Sequence, residues 1–391
     1  MERREMNMNE AGRHHTEFDI PNGSDINRQM LADRSIQIDH SRRRGRAAGI
    51  NPSGRFELQT HHVFDDGWDN LETLEPFKTQ VQVERSRSII TRNSSPDIPF
   101  DRSINPYRGC EHGCVYCFAR PSHAHVGLSA GLDFESKLFA KPDAARLLKR
   151  ELSKANYQPK SIAIGTNTDP YQPIEKDMRI MRQILEVLAE AKHPVGIVTK
   201  SALVLRDIDI LSQMARDGLV RVAMSVTTLD RKLARAMEPR ASTPTKRLEA
   251  MRELSDAGIP TSVMLAPVIP GLNDFEIERI LDSAHNAGAE QAGYVLLRLP
   301  QEVSPIFRDW LLRHYPDRYR HVMSLIRSMR GGKDYDAEFG KRMRGAGPYA
   351  WQISRRFDMT CKRLGLTKRM SSPRTDLFVK PEGENVQLSL L

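Results

Sequence analysis

The segment KSIAIGTNTDPYQPIEKDMRIMRQILEVLAEAKHPVGIVTK, residues 160–200, decides the fold class. Ile162-Ala163-Ile164 is a short, β-branched apolar run, and Val195-Gly196-Ile197-Val198 is another. Between them Met178, Met181, Ile184 or Leu185, and Leu188 recur every three to four residues, the period of an amphipathic helix. Two such runs joined by such a helix describe a βαβ unit, whose strands lie parallel in a sheet covered on both faces. The pattern repeats. Val220 to Val226, Ser262 to Ile269 and Gly293 to Leu297 read as further strands. Leu248, Met251 and Leu254, then Ile277, Ile280, Leu281 and Ala284, read as the helix faces between them. A weaker strand signal at Ser103 to Tyr107 precedes the series, giving about six βα units. That count favours a partial barrel over a doubly wound sheet.

Outside the repeats the composition changes. Residues 1–85 are polar, rich in Arg, Asn, Asp and His, and read as a largely flexible extension; Arg42-Arg43-Arg44-Gly45-Arg46 is a basic run within it. Residues 86–300 hold the barrel, and residues 301–391 form a basic, mainly helical extension. In that extension Pro305 to Arg313, Arg318 to Met329 and Tyr349 to Leu364 carry helical patterns, with Gly365 as a C-cap. The formal net charge of +9 over 391 residues is uneven. Residues 1–100 carry 14 Lys+Arg against 16 Asp+Glu, residues 101–300 carry 27 against 24, and residues 301–391 carry 18 against 10. Arg308, Arg313, Arg318, Arg320, Arg327, Arg330, Lys341, Arg342, Arg344, Arg355, Arg356, Lys362, Arg363, Lys368 and Arg369 supply a surface that a polyanion such as nucleic acid would favour, or the solvated faces of ordinary helices. No run of about 18 apolar residues is present, and the acids in Met1-Glu2-Arg3-Arg4-Glu5 do not suit a secretory leader, so a cytoplasmic protein is expected.

Three of the four cysteines fall in Cys110-Glu111-His112-Gly113-Cys114-Val115-Tyr116-Cys117, a C-x3-C-x2-C spacing just after the first strand signal. So tight a cluster reads as a metal site rather than a disulfide framework. A 4Fe–4S cluster normally takes four thiolates, so three leave one iron open for chemistry. Gly109 and Gly113 suit a backbone wrapped closely around such a group. The alternative is a structural zinc completed by His112 or the distant Cys361, in a nucleic-acid-binding module without catalysis.

This spacing, with Tyr116 before the last cysteine, resembles the signature of the radical S-adenosylmethionine (SAM) superfamily. More narrowly, Asn105-Pro106-Tyr107-Arg108-Gly109-Cys110, Gly165-Thr166-Asn167-Thr168-Asp169-Pro170-Tyr171-Gln172-Pro173 and Pro267-Val268-Ile269-Pro270-Gly271-Leu272-Asn273-Asp274 resemble an uncharacterised bacterial branch related to spore photoproduct lyase. The resemblance covers about residues 85–370 and implies an α/β fold, a partial (β/α)6 barrel with the cluster in the loop after its first strand. It implies metal ligation by Cys110, Cys114 and Cys117, and SAM bound at the open iron through its amino and carboxylate groups. Reductive cleavage of SAM then yields a 5′-deoxyadenosyl radical that abstracts hydrogen from a substrate, with electrons from a donor such as flavodoxin or ferredoxin.

The same resemblance points to SAM-binding residues. Thr166, Asn167, Thr168 and Asp169 offer hydroxyl, amide and carboxylate groups suited to an ammonium and to ribose. Lys200 would pair the SAM carboxylate, Ser225 would add a contact, and Tyr116 would place its ring near the adenine. Pro267, Val268 and Ile269 are candidates for the adenine wall, with core packing as their alternative. Cys361 is a candidate hydrogen donor, with helix packing as its ordinary alternative. The lyase's hydrogen-donating cysteine falls at Thr166, so its repair mechanism does not carry over.

Overall fold

The computed structural model describes residues 43–53, 55–56, 77–367 and 373–382. Six strands run parallel: β3 (Arg102–Ile104), β6 (Ile162–Ile164), β7 (Val195–Thr199), β8 (Val220–Ser225), β9 (Thr261–Val268) and β10 (Gln291–Leu296). Each pairs with its successor in that list, so the order never reverses. A doubly wound sheet needs such a reversal; a sheet that always grows at one edge curls instead. The barrel is incomplete. β10 is one edge, and the other is β2 (Ile90–Arg92), antiparallel to β3.

Helices α2 (Ala144–Leu152), α4 (Ile180–Glu190), α5 (Ile208–Arg216), α7 (Pro244–Asp256) and α8 (Ile277–Asn286) cover the outer face. Short α1 (Leu132–Ser136), α3 (Glu175–Met178) and α6 (Arg231–Met237) lie in the connections. Strand alternation sorts the side chains. Ile164, Ile197, Met224 and Leu265 enter the apolar layer beneath the helices, whereas Ser103, Val198, Ser225, Met264 and Val295 line the interior. Gly293 on β10 makes room for the Met264 side chain of β9, whose sulfur would stand 2.8 Å from a Cβ there.

A second sheet, β1 (Gln80–Val83), β5 (Lys137–Ala140) and β4 (Tyr107–Arg108), has no counterpart in the sequence reading. Residues 1–42 and 57–76, most of the stretch read as flexible, lie outside the described residues. The described part is built into the fold: Arg46, Ala47 and Ala48 are buried, and β1 pairs with β5.

The C-terminal helices α9 (Val303–His314), α10 (Pro316–Ser328) and α11 (Pro348–Leu364) fall where the periodicity places them, and Gly365 closes α11 at φ 71°. α11 shares the barrel's main core, whereas α9 and α10 pack in a second core with the cysteine loop. Phe357 stacks 4.7 Å from Tyr294 on β10, and Arg356 binds Glu278 on α8 at 2.6 Å. The chain after β10 also covers its free edge: the Leu296 amide donates to Met343 O (2.9 Å) and the Ala292 amide to Thr367 O (3.1 Å). Across the open flank Asp97 accepts from the Arg342 guanidinium and from the Gly340 amide (2.7 Å). No helix among the described residues is long and apolar enough to cross a membrane.

His193, just before β7, is buried, with Nε2 2.8 Å from Tyr157 Oη and its ring edge-on to Phe378. Burial lowers its pKa from 6.5 to about 4. The unfolded chain therefore takes up a proton that the folded state resists. This contribution is whole above pH about 6.5 and is lost as pH falls toward about 4. His193→Gln is expected to flatten the pH dependence of the urea midpoint in that window, and an unchanged slope would remove His193 as its source.

Candidate active site

The cysteine loop follows β4 and is shaped by two glycines that no other residue replaces. Gly109 and Gly113 have φ of 75° and 65°. A Cβ on Gly109 would stand 2.7 Å from Leu138 Cδ2, and one on Gly113 would stand 2.8 Å from Glu135 Oε2. Beneath the loop lies Arg120, fully buried, which donates to the carbonyls of Cys114 (2.9 Å), Ala130 (3.0 Å), Gly131 (2.9 Å) and Gly113 (3.2 Å) and to Glu135 Oε1 (2.5 Å). Glu135 in turn accepts the amides of Ala47 (3.1 Å) and Ala48 (3.0 Å). Gln172 ties the loop to the β6 connection, accepting from the Glu111 amide (2.9 Å) and donating to Gly109 O (3.2 Å).

This scaffold turns Cys110, Cys114 and Cys117 onto one cavity of about 720 Å³ at the C-terminal ends of the strands, a volume ordinary for a ligand site. Tyr116, Thr166, Asn167, Thr168, Asp169, Lys200 and Ser225 line it as well. Burial pushes the Cys114 thiol up to about 12, with Glu238 adding to the rise, and it raises Cys110 and Cys117 too. Thiols so placed hold their protons unless a cation replaces them.

The β6 connection fits closely against β7. Gly165, at φ 89°, has Val198 O where a Cβ would lie 2.0 Å away. Thr168 Oγ1 donates to Tyr107 O (3.0 Å), and the Asn167 amide donates to Asn105 Oδ1 (3.2 Å). Asp169 lines the cavity and is at the same time tied into the fold. Its carboxylate accepts from Thr199 Oγ1 (2.7 Å), the Lys200 amide (2.7 Å) and the Tyr171 amide (2.9 Å), and lies 3.4 Å from His112 Nδ1. Burial alone would raise its pKa, but His112, Thr199 and the Lys200 amide outweigh it and hold Asp169 at about 2.

Lys200 Nζ donates to Ser225 Oγ (3.0 Å) and lies 5.8 Å from the Tyr116 ring centre. Tyr116 Oη donates to Glu238, which also accepts from Thr227 and is paired with the buried Arg247. Burial opposes the Glu238 charge, yet Arg247 and Lys200 hold its pKa at about 2.

Two candidates stand elsewhere. Val268 is buried in the main apolar core and does not line the cavity; Ala266 and Pro267 line the wall instead, where a register shift between β9 and β10 interrupts the strand alternation, and Ile269 packs in the adjoining core. Cys361 sits on α11 in the main core, 1% exposed, because that helix buries its Ile353, Phe357 and Cys361 face. It neither lines the cavity nor completes a four-thiolate set. Among the described residues, no three His, Cys, Asp or Glu side chains converge to hold a single ion. A cubane asks for something else, one thiolate at each of three separate irons.

Residues 104–284 match the family model described as Radical SAM superfamily. An uncharacterized protein of Mycobacterium bovis is 36% identical over 230 residues, 58% of this chain and 68% of that relative. The chain belongs to the radical SAM superfamily. Another relative, an uncharacterized protein of Methanocaldococcus jannaschii, is 28% identical over 219 residues, 56% of this chain and 78% of its own length. Among solved structures, spore photoproduct lyase complexed with dinucleoside spore photoproduct has the same fold, with a TM-score of 0.54 at 16% identity over 73% of this chain and 80% of that one. A substituted form of the lyase with bound AdoMet and the dinucleoside scores 0.53 with the same coverage. Membership in the radical SAM superfamily implies a 4Fe–4S cluster and SAM, and the donor set suits both: three thiols on one wall without a fourth, and polar side chains across the same cavity.

Several structural partners of this radical SAM site escaped the sequence reading. Gln172 lies inside a motif already singled out, and Arg120 stands three residues after the last cysteine of the loop; their positions were the available signal. Glu135, Glu238 and Arg247 had none, because the fold alone brings them to the loop. The basic C-terminal residues prove largely committed. Arg313 pairs with Asp309, Arg327 with Asp334, Arg342 with Asp97, Arg356 with Glu278 and Arg363 with Asp282, while Arg330 is buried against Leu297 O and Lys341 O. Lys368 and Arg369 lie outside the described residues.

Proposed function

We propose that this protein is a radical SAM enzyme holding a 4Fe–4S cluster on Cys110, Cys114 and Cys117. The observation that carries the reading is the convergence of these three thiols with Lys200, Ser225 and the Thr166 to Thr168 segment on one cavity at the strand ends. The cluster and SAM, when bound, supply reductive cleavage of the sulfonium and hydrogen abstraction by the resulting carbon radical.

The chain's own residues do the rest. Lys200 is positioned by Ser225 to meet a carboxylate, and its ammonium also offsets negative charge beside the thiolates. Tyr116 is fixed by Glu238 and Thr227, so its ring forms a rigid wall. Thr166 and Asn167 present polar groups to the cavity, while Asp169 braces the β6 connection against β7. The cavity wall offers no thiol beyond the three of the cysteine loop, so hydrogen return by a cysteine is not part of the proposed chemistry. A one-electron donor of the flavodoxin or ferredoxin kind would supply the electron.

Anaerobically reconstituted protein is expected to hold about four iron and four sulfide per chain, as a cubane requires. With dithionite and SAM it is expected to release 5′-deoxyadenosine and methionine. Colourless protein holding one zinc would instead support the binding-module reading. Lys200→Met is expected to weaken SAM binding about tenfold or more, as loss of a charge-assisted hydrogen bond does, with iron content unchanged. Unchanged affinity in equilibrium dialysis would remove Lys200 from the SAM site.

A further inference from the structure

The walls of the cavity are strongly cationic. Arg108, Lys141, Lys200, Arg298 and Arg342 line it, against Asp169 as the carboxylate among its described lining residues. Most of these cations are already committed. Glu84 holds Arg108 (3.1 Å) and Lys141 (3.7 Å), Asp97 holds Arg342, and Lys200 stands beside Ser225.

Arg298 is the exception. It follows β10 and is half-buried, yet no carboxylate among the described residues lies within ion-pair distance of it. Its contacts are weak ones to Met343 Sδ (3.5 Å) and Tyr335 Oη (3.4 Å), and its buried Nε has no hydrogen-bond partner. A guanidinium left this way has a large unmet demand for an oxyanion, which it would bind in a bidentate, charge-assisted fashion. Its Cζ lies 4.8 Å from the centre of the Phe118 ring, and Phe118 directly follows Cys117. Ile98, Phe100 and Met343 line the cavity as well and are apolar.

From this juxtaposition we infer that the substrate is a small organic anion, apolar or aromatic in part, whose carboxylate or phosphate is held by Arg298 beside the cysteine loop. The inference rests on the radical SAM reading for its chemistry and on Arg298 alone for its recognition. Asp97 is near enough to attract this guanidinium but is not paired with it, its hydrogen-bond donors being Arg342 and the Gly340 amide. The apolar wall accepts the remainder of the molecule and keeps water from the carbon that loses hydrogen.

The test uses full-length, anaerobically reconstituted protein titrated by calorimetry with phenyl phosphate, benzoate and neutral benzyl alcohol, with iron content and SAM binding measured on the same samples. At least one anion is expected to bind while benzyl alcohol does not, and the stronger of the two identifies the group as phosphate or carboxylate. Arg298→Met is expected to weaken that anion about tenfold or more, and Arg298→Lys by less, since a lysine keeps the charge without the fork. Both variants should keep wild-type iron content and SAM affinity, which separates loss of the anion site from misfolding. The proposal is overturned if neither anion binds the wild type up to about 10 mM, equivalent to less than ~2 units in log K. Equal binding of the anions to Arg298→Met, or of benzyl alcohol and the anions to the wild type, also overturns it. Failure of the underlying radical SAM reading would show separately, as wild-type protein that takes up neither cluster nor SAM.

Discussion

Replacing any one of Cys110, Cys114 and Cys117 by alanine is expected to abolish both cluster retention and 5′-deoxyadenosine formation. Each thiol faces the same cavity from a different position on the loop, so none can take over a neighbour's corner. The loop itself should survive the change. Its backbone is held by Arg120 and Gln172 through carbonyl and amide groups that alanine also carries. Thermal unfolding of the cluster-free variants should therefore stay close to that of the cluster-free wild type, while iron per chain falls to background. A single variant that keeps about four iron and cleaves SAM would displace that cysteine from the ligand set.

Arg120→Met is expected to be among the most destabilising single substitutions in the chain, by about 3–5 kcal/mol in denaturant unfolding of the cluster-free protein. The guanidinium and Glu135 are both fully buried, so the substitution removes the carboxylate's direct ion-pair partner and leaves only Arg46 nearby. It also removes the donor from four carbonyls, two of them in the cysteine loop. Arg120→Lys should rescue little, because one ammonium cannot span that array. The double variant Arg120→Met with Glu135→Gln should recover part of the loss, since the buried carboxylate that lost its partner is then neutral. A cost below about 1 kcal/mol for Arg120→Met would mean that water reaches this site and replaces the guanidinium.

What could be read from sequence was whatever repeats. Ile162, Ile164, Val195 and Ile197 alternate with small inner residues, and the helix between them keeps its period, so the six parallel strands and their order were legible. The small sheet was not, because β1 and β4 are short and partly polar and owe their pairing to β5. Likewise Ala47 and Ala48 dock through backbone amides onto Glu135, and backbone donors leave no mark on composition. In the site, residue type suggested roles that geometry redistributed. Asp169 lines the cavity and also braces the β6 connection, whereas Val268 and Cys361 take the packing alternative that each was given. Arg298 stood unnoticed just after the last strand of the barrel, since an arginine there reveals its lack of an acid only in three dimensions.

The contact between Asp97 and the segment of Gly340 and Arg342 joins points far apart along the chain. During synthesis the cysteine loop and its support up to Glu135 leave the ribosome early, and the inner strands follow one at a time. The flank can be closed only when the segment carrying Arg342 has emerged. Until then the cavity lacks Arg342 and Met343, the last of its lining residues in chain order.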